Sequence, residues 1–418
     1  MTAEMAPLTQ ARRHWQTPQL RTDEEEERER KTSWLELFYD LVFVAVVAEL
    51  SHALAGDLTP GGVLRFVLLF VPAWWIWIGG TFYTDRFETD DVSHRLFTFL
   101  QMLAVAGLAY NVHDGMGASS RGFALSYVAG RLIIIYLWLR GGYHSPAARP
   151  MTNRYNAGFA LSVLLWLVSL AVPPPWRFVL WGLGLAIDLV TPITTFEIQR
   201  RLPRLSSSHL PERFGLFTLI VLGESVIAVV GGTSARHDLD PLTMLAGALG
   251  LALAFGFWWI YFDQVAGRRR RANPWAFMGW AYTHMALLMA LTATGAGILN
   301  LLSFEGTGGT GGAPLPTGVR WLVCGAVAAT LLALGVIELA TMSDEPAREP
   351  RQRTVRFGAA AAALLLGALG GVLHPVALLG LLLLLCAGQV VLGLLGWGVP
   401  GTARATEQAE AAEATEPV

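Results

Sequence analysis

Apolar residues along this chain gather into runs long enough to cross a bilayer. A helix rises 1.5 Å per residue, so a hydrocarbon core of ~30 Å needs about 20 residues. The pattern predicts spans near 34–54, 63–84, 95–114, 122–140, 156–172, 176–197, 213–232, 241–262, 276–301, 318–340, 356–373 and 376–397. That makes about twelve transmembrane helices in an all-α, polytopic membrane helix bundle. The tightest joins are "PPPW" (173–176) and His374-Pro375. Proline between two apolar runs suits a reversal, or a kinked or re-entrant helix.

Basic residues give this pattern a direction. With the N-terminus inside, the cytoplasmic segments hold 24 of the 30 Arg and Lys residues. Such a bias predicts an even number of spans with both termini in the cytoplasm. Ser206 and Arg348 would then face the cytoplasm, and Gly308, in "GTGGTGGAPLPTG" (306–318), the outside. Residues 1–32 and 399–418 read as disordered cytoplasmic tails, too polar to bury a core. The first apolar run follows "DEEEERERK" (23–31) and carries three carboxylates, which a cleaved signal segment does not tolerate.

Twelve spans divide into six and six, over 33–204 and 205–398. "ELFYDLVFVAVVAELS" (36–51) lies over "ERFGLFTLIVLGES" (212–225): Glu36 matches Glu212, Phe38 matches Phe214 and, after a short gap, Glu49 matches Glu224. The next helices share "WWIW" (74–77) and "WWIY" (258–261). The third pair opens on His94 and His284, and both reach "AG". Six is an even number, so two such repeats would run parallel, related by an axis along the membrane normal.

Composition agrees with a lipid bilayer as partner. The chain is 53% hydrophobic and 15% charged, with mean hydropathy +0.46; a soluble domain carries about 25% charged residues. A net charge of −2 argues against a nucleic-acid partner. Cys324 and Cys386 sit in apolar runs and read as packing residues. There is no Walker A loop, H-E-x-x-H, G-x-S-x-G or cysteine-rich cluster, so no enzyme, cofactor or metal is expected.

"ELFYDLVFV" (36–44), "RFETDD" (86–91) and "ERFGLFTLIVLGES" (212–225) resemble the signature segments of the bacterial low-temperature-requirement protein A family. The likeness runs from about 33 to 395. It implies a multi-pass protein of the bacterial inner membrane, tied by name to growth in the cold. It implies no established substrate or catalytic residue.

Candidate chemistry lies in the polar residues of the spans, since a charge at mid-bilayer costs about 2.5–3.5 kcal/mol on the insertion scale. Glu36 and Asp40, one turn apart, read either as a solvated helix start, favoured by the helix dipole, or as an acidic cavity mouth. Glu49 and His52 share a helix face: an interface pair, or part of a pathway. Glu224 and Asp188 sit deep, where they either bond a neighbouring helix or carry an ion; Pro192 is expected to break the Asp188 helix. Arg131, the central cation, needs a partner, for which Glu49, Asp188 and Glu224 are the candidates. His284 reads as an exposed helix start or a proton relay. Trp74, Trp75, Trp258 and Trp259 read as packing or interface residues, or as an aromatic cavity for an organic substrate. Two functions fit. One is a secondary transporter or ion permease for a small molecule or ion, with buried carboxylates coupling protons or cations. The other is a non-transporting membrane factor for cold or stress adaptation, or an intramembrane enzyme without a recognised motif.

Overall fold

The computed structural model describes residues 15–21, 32–89, 91–203, 205–206, 208–234, 241–271, 273–306, 315–342 and 349–397. Twelve long helices appear among them: α1 (Trp34–Gly56), α2 (Pro60–Arg86), α3 (Val92–Val112), α4 (Ser120–His144), α5 (Arg149–Ser169), α6 (Trp176–Ile193), α7 (His209–Ser234), α8 (Pro241–Tyr261), α9 (Pro274–Gly306), α10 (Thr317–Ala340), α11 (Glu349–Leu369) and α12 (Pro375–Trp397). Eleven are long and apolar enough to cross a membrane. The exception is α5. The expected span 156–172 is instead a helix that starts earlier, and its first turns carry Arg149, Arg154 and Asn156.

Helix starts follow local chemistry. Ser33 and Glu36 form a capping box on α1, Thr59 caps α2 ahead of Pro60, and Asp91 caps α3. Both expected reversals occur: α5 ends before the prolines at 173–175, and a short turn, Gly370–Val372, separates α11 from Pro375. Pro192 lies in the last turn of α6, which stops one residue later. A π-helical turn, Phe262–Ala266, extends α8.

The chain forms two compact units, Met1–Ser225 with Leu291–Ala296, and Val226–Ala290 with Gly297–Val418. In the first, α1 packs on α2 and α3, α4 on α2, α3 and α5, and α5 on α6. Its core is aromatic: Trp77 stacks on Phe217 at 4.4 Å, and Trp166 on Trp181 at 4.6 Å. A Cβ on Gly184 would lie 2.8 Å from Trp166 Cδ1, so the glycine brings α6 close against α5. In the second unit α8 packs on α12, and α11 on α10 and α12. Both cysteines are free and buried there.

Two short two-stranded sheets join segments distant in sequence at helix ends. In the first unit, β1 (Gln19–Leu20) pairs antiparallel with β2 (Phe87–Glu88); in the second, β3 (Arg269–Arg270) pairs with β4 (Thr341–Met342). Part of the expected disordered N-terminal tail is therefore built into the fold. Gln16 N–H donates to Asp91 Oδ2, Arg21 N–H to Arg86 O, and the Arg140 guanidinium covers the Trp15 ring. The rest of that tail, apart from Thr32, the C-terminal tail 399–418, Gly308 and Arg348 lie outside the described residues.

Candidate functional site

Four segments of the first unit converge on a cluster of charges. Asp40 on α1 accepts two bonds from Arg213 on α7, Nη2 to Oδ1 at 2.6 Å and Nε to Oδ2 at 3.1 Å, and a third from Trp77 Nε1 on α2 at 2.7 Å. Arg213 Nη1 also reaches Glu36 Oε1 at 3.2 Å. His209, one turn before Arg213, lies between Glu36 Oε1 (3.2 Å) and Asp85 Oδ1 (3.0 Å). Ser206 N–H donates to Asp85 Oδ2, and Arg21 stands 4.0 Å from Oδ1. All six charged side chains are buried. Glu36 and Asp40 are thus buried at the start of α1, and both lie against Arg213 of α7. Paired arginine forks give the strongest bonds of this kind.

Arg131 finds its partner in Asp188. Its Nη2 lies 2.7 Å from Oδ1, while Tyr127 Oη and Ser162 Oγ both donate to Oδ2, at 2.6 and 2.8 Å. Both members of the pair are fully buried, and the guanidinium lies 4.2 Å from the Phe159 ring centroid. This arrangement ties α4, α5 and α6 together.

The second unit has its own buried acid. Glu338 on α10 lies 3.0 Å from Arg268 and 3.2 Å from Arg356, and Gln264 accepts from Arg356 at 2.9 Å. His284 is buried in α9 rather than exposed at a helix start, because the helix begins ten residues earlier, at Pro274. Its Nδ1 lies 2.7 Å from Trp280 O and its Nε2 3.1 Å from Tyr261 Oη. A carbonyl only accepts, so Nδ1 carries a proton. Of the tryptophans, Trp74 and Trp75 lie in the first unit's core, while Trp258 is partly exposed and stacks on Phe255 at 5.5 Å. Trp259 is half-buried, edge-on to Phe255 at 5.7 Å.

Farther along α1 and α7 the first unit holds a second acid group of different character. Glu224 is 2% exposed, and its Oε2 has no hydrogen-bond partner among the described residues. It lies within electrostatic reach of His52 and Glu49, which are exposed on α1. His52 also lines a cavity of about 330 Å³, with Asp57, Arg65, Phe66, His113 and Asp114 at the ends of α1 and α3 and the start of α2. Among the described residues no three His, Cys, Asp or Glu side chains stand together to hold a metal.

Asp85, His209, Arg213, Glu338, Arg268 and Arg356 are the residues that span-by-span reading misses. Each lies at or beyond the end of an apolar run, where a charge looks solvated. One signal was available: Arg213 and Asp40 belong to two of the three segments that carry the family resemblance, and the structure joins them.

Bilayer-length apolar helices enclosing ion pairs withdrawn from solvent define a polytopic α-helical membrane protein. The family model for the bacterial low temperature requirement A protein (LtrA) matches residues 31–394, and the chain belongs to that family. It is also similar to "Uncharacterized protein RA0937" of Rhizobium meliloti (strain 1021), 29% identical over 255 residues. That match covers 58% of this chain and 60% of the relative.

Proposed function

We propose that this protein is a secondary transporter or ion permease of the bacterial inner membrane, with both termini in the cytoplasm, in which Glu224, aided by Glu49 and His52, carries the coupling proton or cation. The supporting observation is the state of Glu224. It is buried without a Lys or Arg ion pair among the described residues, and His52 beside it lines a cavity. A proton or cation can come and go there without breaking an ion pair. The six-plus-six repeat over 33–204 and 205–398 belongs to the same reading. In its favour, a two-residue strand follows α2 and another follows the π-turn of α8, the helices the repeat makes equivalent.

A second reading has its own support. Asp40, Asp85, Asp188 and Glu338 each have an arginine within 4.0 Å, as expected of a non-transporting membrane factor whose polar groups hold helices together. One experiment separates the two. The purified protein is placed in lipid vesicles containing a pH-sensitive dye, and proton, sodium and potassium gradients are imposed in turn. A change of internal pH above that of protein-free vesicles is the expected result. Matching traces under every gradient would remove the proton-coupled form of the proposal.

A further inference from the structure

Two polar side chains of the first unit are buried without being matched. Tyr83 on α2 is 1% exposed and Gln101 on α3 is 3% exposed, yet Tyr83 Oη and Gln101 Nε2 have no hydrogen-bond partner among the described residues. A buried polar group left unmatched is costly, and nearly all find a partner in protein or in bound water. The Tyr83 ring is held in place by Phe87 and Trp138, with ring centroids 5.4 and 5.7 Å away.

Both residues line one cavity of about 20 Å³, which Glu36 and Arg213 also border. The Thr84 and Thr98 hydroxyls at the same wall already donate, to Thr81 O and His94 O. Gly80 leaves room there: a Cβ on it would lie 2.8 Å from Tyr39 Oη and 3.4 Å from Gln101 Oε1. The wall selects the occupant. An amide nitrogen only donates, while a phenol donates or accepts. Gln101 Nε2 and the Arg213 guanidinium disfavour a cation, and the Glu36 carboxylate disfavours an anion. A neutral molecule that both accepts and donates fits, and the volume limits it to about one water.

We propose that Tyr83 and Gln101 bind a buried water molecule that joins α2 to α3 beside Glu36 and Arg213. Helices α1 and α4 pack against both α2 and α3, which touch each other little. The water bridges that gap, its oxygen accepting from Gln101 Nε2–H and bonding the Tyr83 hydroxyl. This site does not depend on the transport reading, because its test needs no substrate and no flux.

The test is radiolytic labelling of the full-length protein in lipid nanodiscs, read residue by residue by mass spectrometry. X-rays turn bound water into hydroxyl radicals, which oxidise the side chains beside it. Tyr127 serves as the control, because it is just as buried but its hydroxyl donates to Asp188. Tyr83 should be oxidised several-fold faster than Tyr127. In Gln101→Leu, which removes one of the two groups that hold the water, Tyr83 should slow to the rate of Tyr127. Equal rates for the two tyrosines in the wild type would overturn the proposal. So would a Tyr83 rate that Gln101→Leu leaves unchanged; should that variant not fold, the wild-type comparison decides by itself.

Discussion

Helices α1 and α7 carry two acid clusters along the same pair of elements, and the clusters differ in how their carboxylates are partnered. Near the helix starts, Asp40 and Glu36 are gripped by Arg213 and His209. Nine residues on, roughly 14 Å along α1, Glu49 and His52 sit near a Glu224 that has no Lys or Arg ion pair among the described residues. Burial alone would rank Asp40 and Glu224 together. Compensation separates them: removing a charge from the first cluster breaks bonds that hold helices together, while removing that of Glu224 breaks no Lys or Arg ion pair among the described residues.

The contrast is tested first where the effect should be largest. Arg213→Ala strands Asp40 and Glu36 in the interior, and removing one partner of a buried pair costs about 3–5 kcal/mol. Thermal unfolding in detergent should show a large fall in Tm, or the variant should fail to accumulate. Replacing Asp40 as well, as Asp40→Leu with Arg213→Leu, should recover part of the loss, since apolar isosteres often match a buried pair. Full stability of Arg213→Ala would mean that water reaches the cluster.

A similar loss, again about 3–5 kcal/mol, is expected for Arg131→Ala, which leaves Asp188 charged with only Tyr127 and Ser162 to satisfy it. Adding Asp188→Asn should return part of that stability. The sharper outcome is specificity. Neutralising Glu49 or Glu224 in the Arg131→Ala background should restore nothing, because neither pairs with Arg131 in the structure.

A smaller effect is expected at Asp91, outside the spans. Burial works against its charged form, but bonds from Ser93, Gln16 N–H and His94 N–H, with the Arg140 guanidinium, outweigh it and hold the carboxyl below the usual carboxylate range. A depressed folded-state pKa stabilises the fold above the unfolded value of about 3.9, and that stability is lost as pH falls through the folded value. Asp91→Asn should therefore cost about 1–2 kcal/mol near neutral pH. The gap from wild type should hold down to about pH 4 and narrow below it. A gap that stays the same at all pH values would mean that the charge of Asp91 contributes nothing.

The helices were legible because twenty apolar residues in a row have few other uses, and the capping residues Ser33, Thr59 and Asp91 sharpen their starts. The polar sites were legible only in part. Arg131 announced its need for a partner by lying mid-span, but α4 and α6 are brought together by tertiary packing that no spacing encodes. Arg213 and Asp85 were hidden because a charge at the end of an apolar run looks like an interface residue. Only the long-range approach of α7 to α1 and α2 shows that these ends are buried. Glu338 was lost in the same way.

The smallest change in stability, and the most informative one, is expected from Glu224→Gln. Gln keeps the shape of a protonated carboxyl, and no arginine is left without a partner, so Tm should move by less than about 1 kcal/mol equivalent. If Glu224 carries the coupling ion, pH-driven flux in vesicles should nevertheless disappear, because Gln can neither take up nor release a proton. Glu49→Gln, at an exposed position, should weaken flux without abolishing it. The opposite pattern, intact flux in Glu224→Gln and in the double variant, would leave both clusters structural. The difference between them would then be one of packing alone.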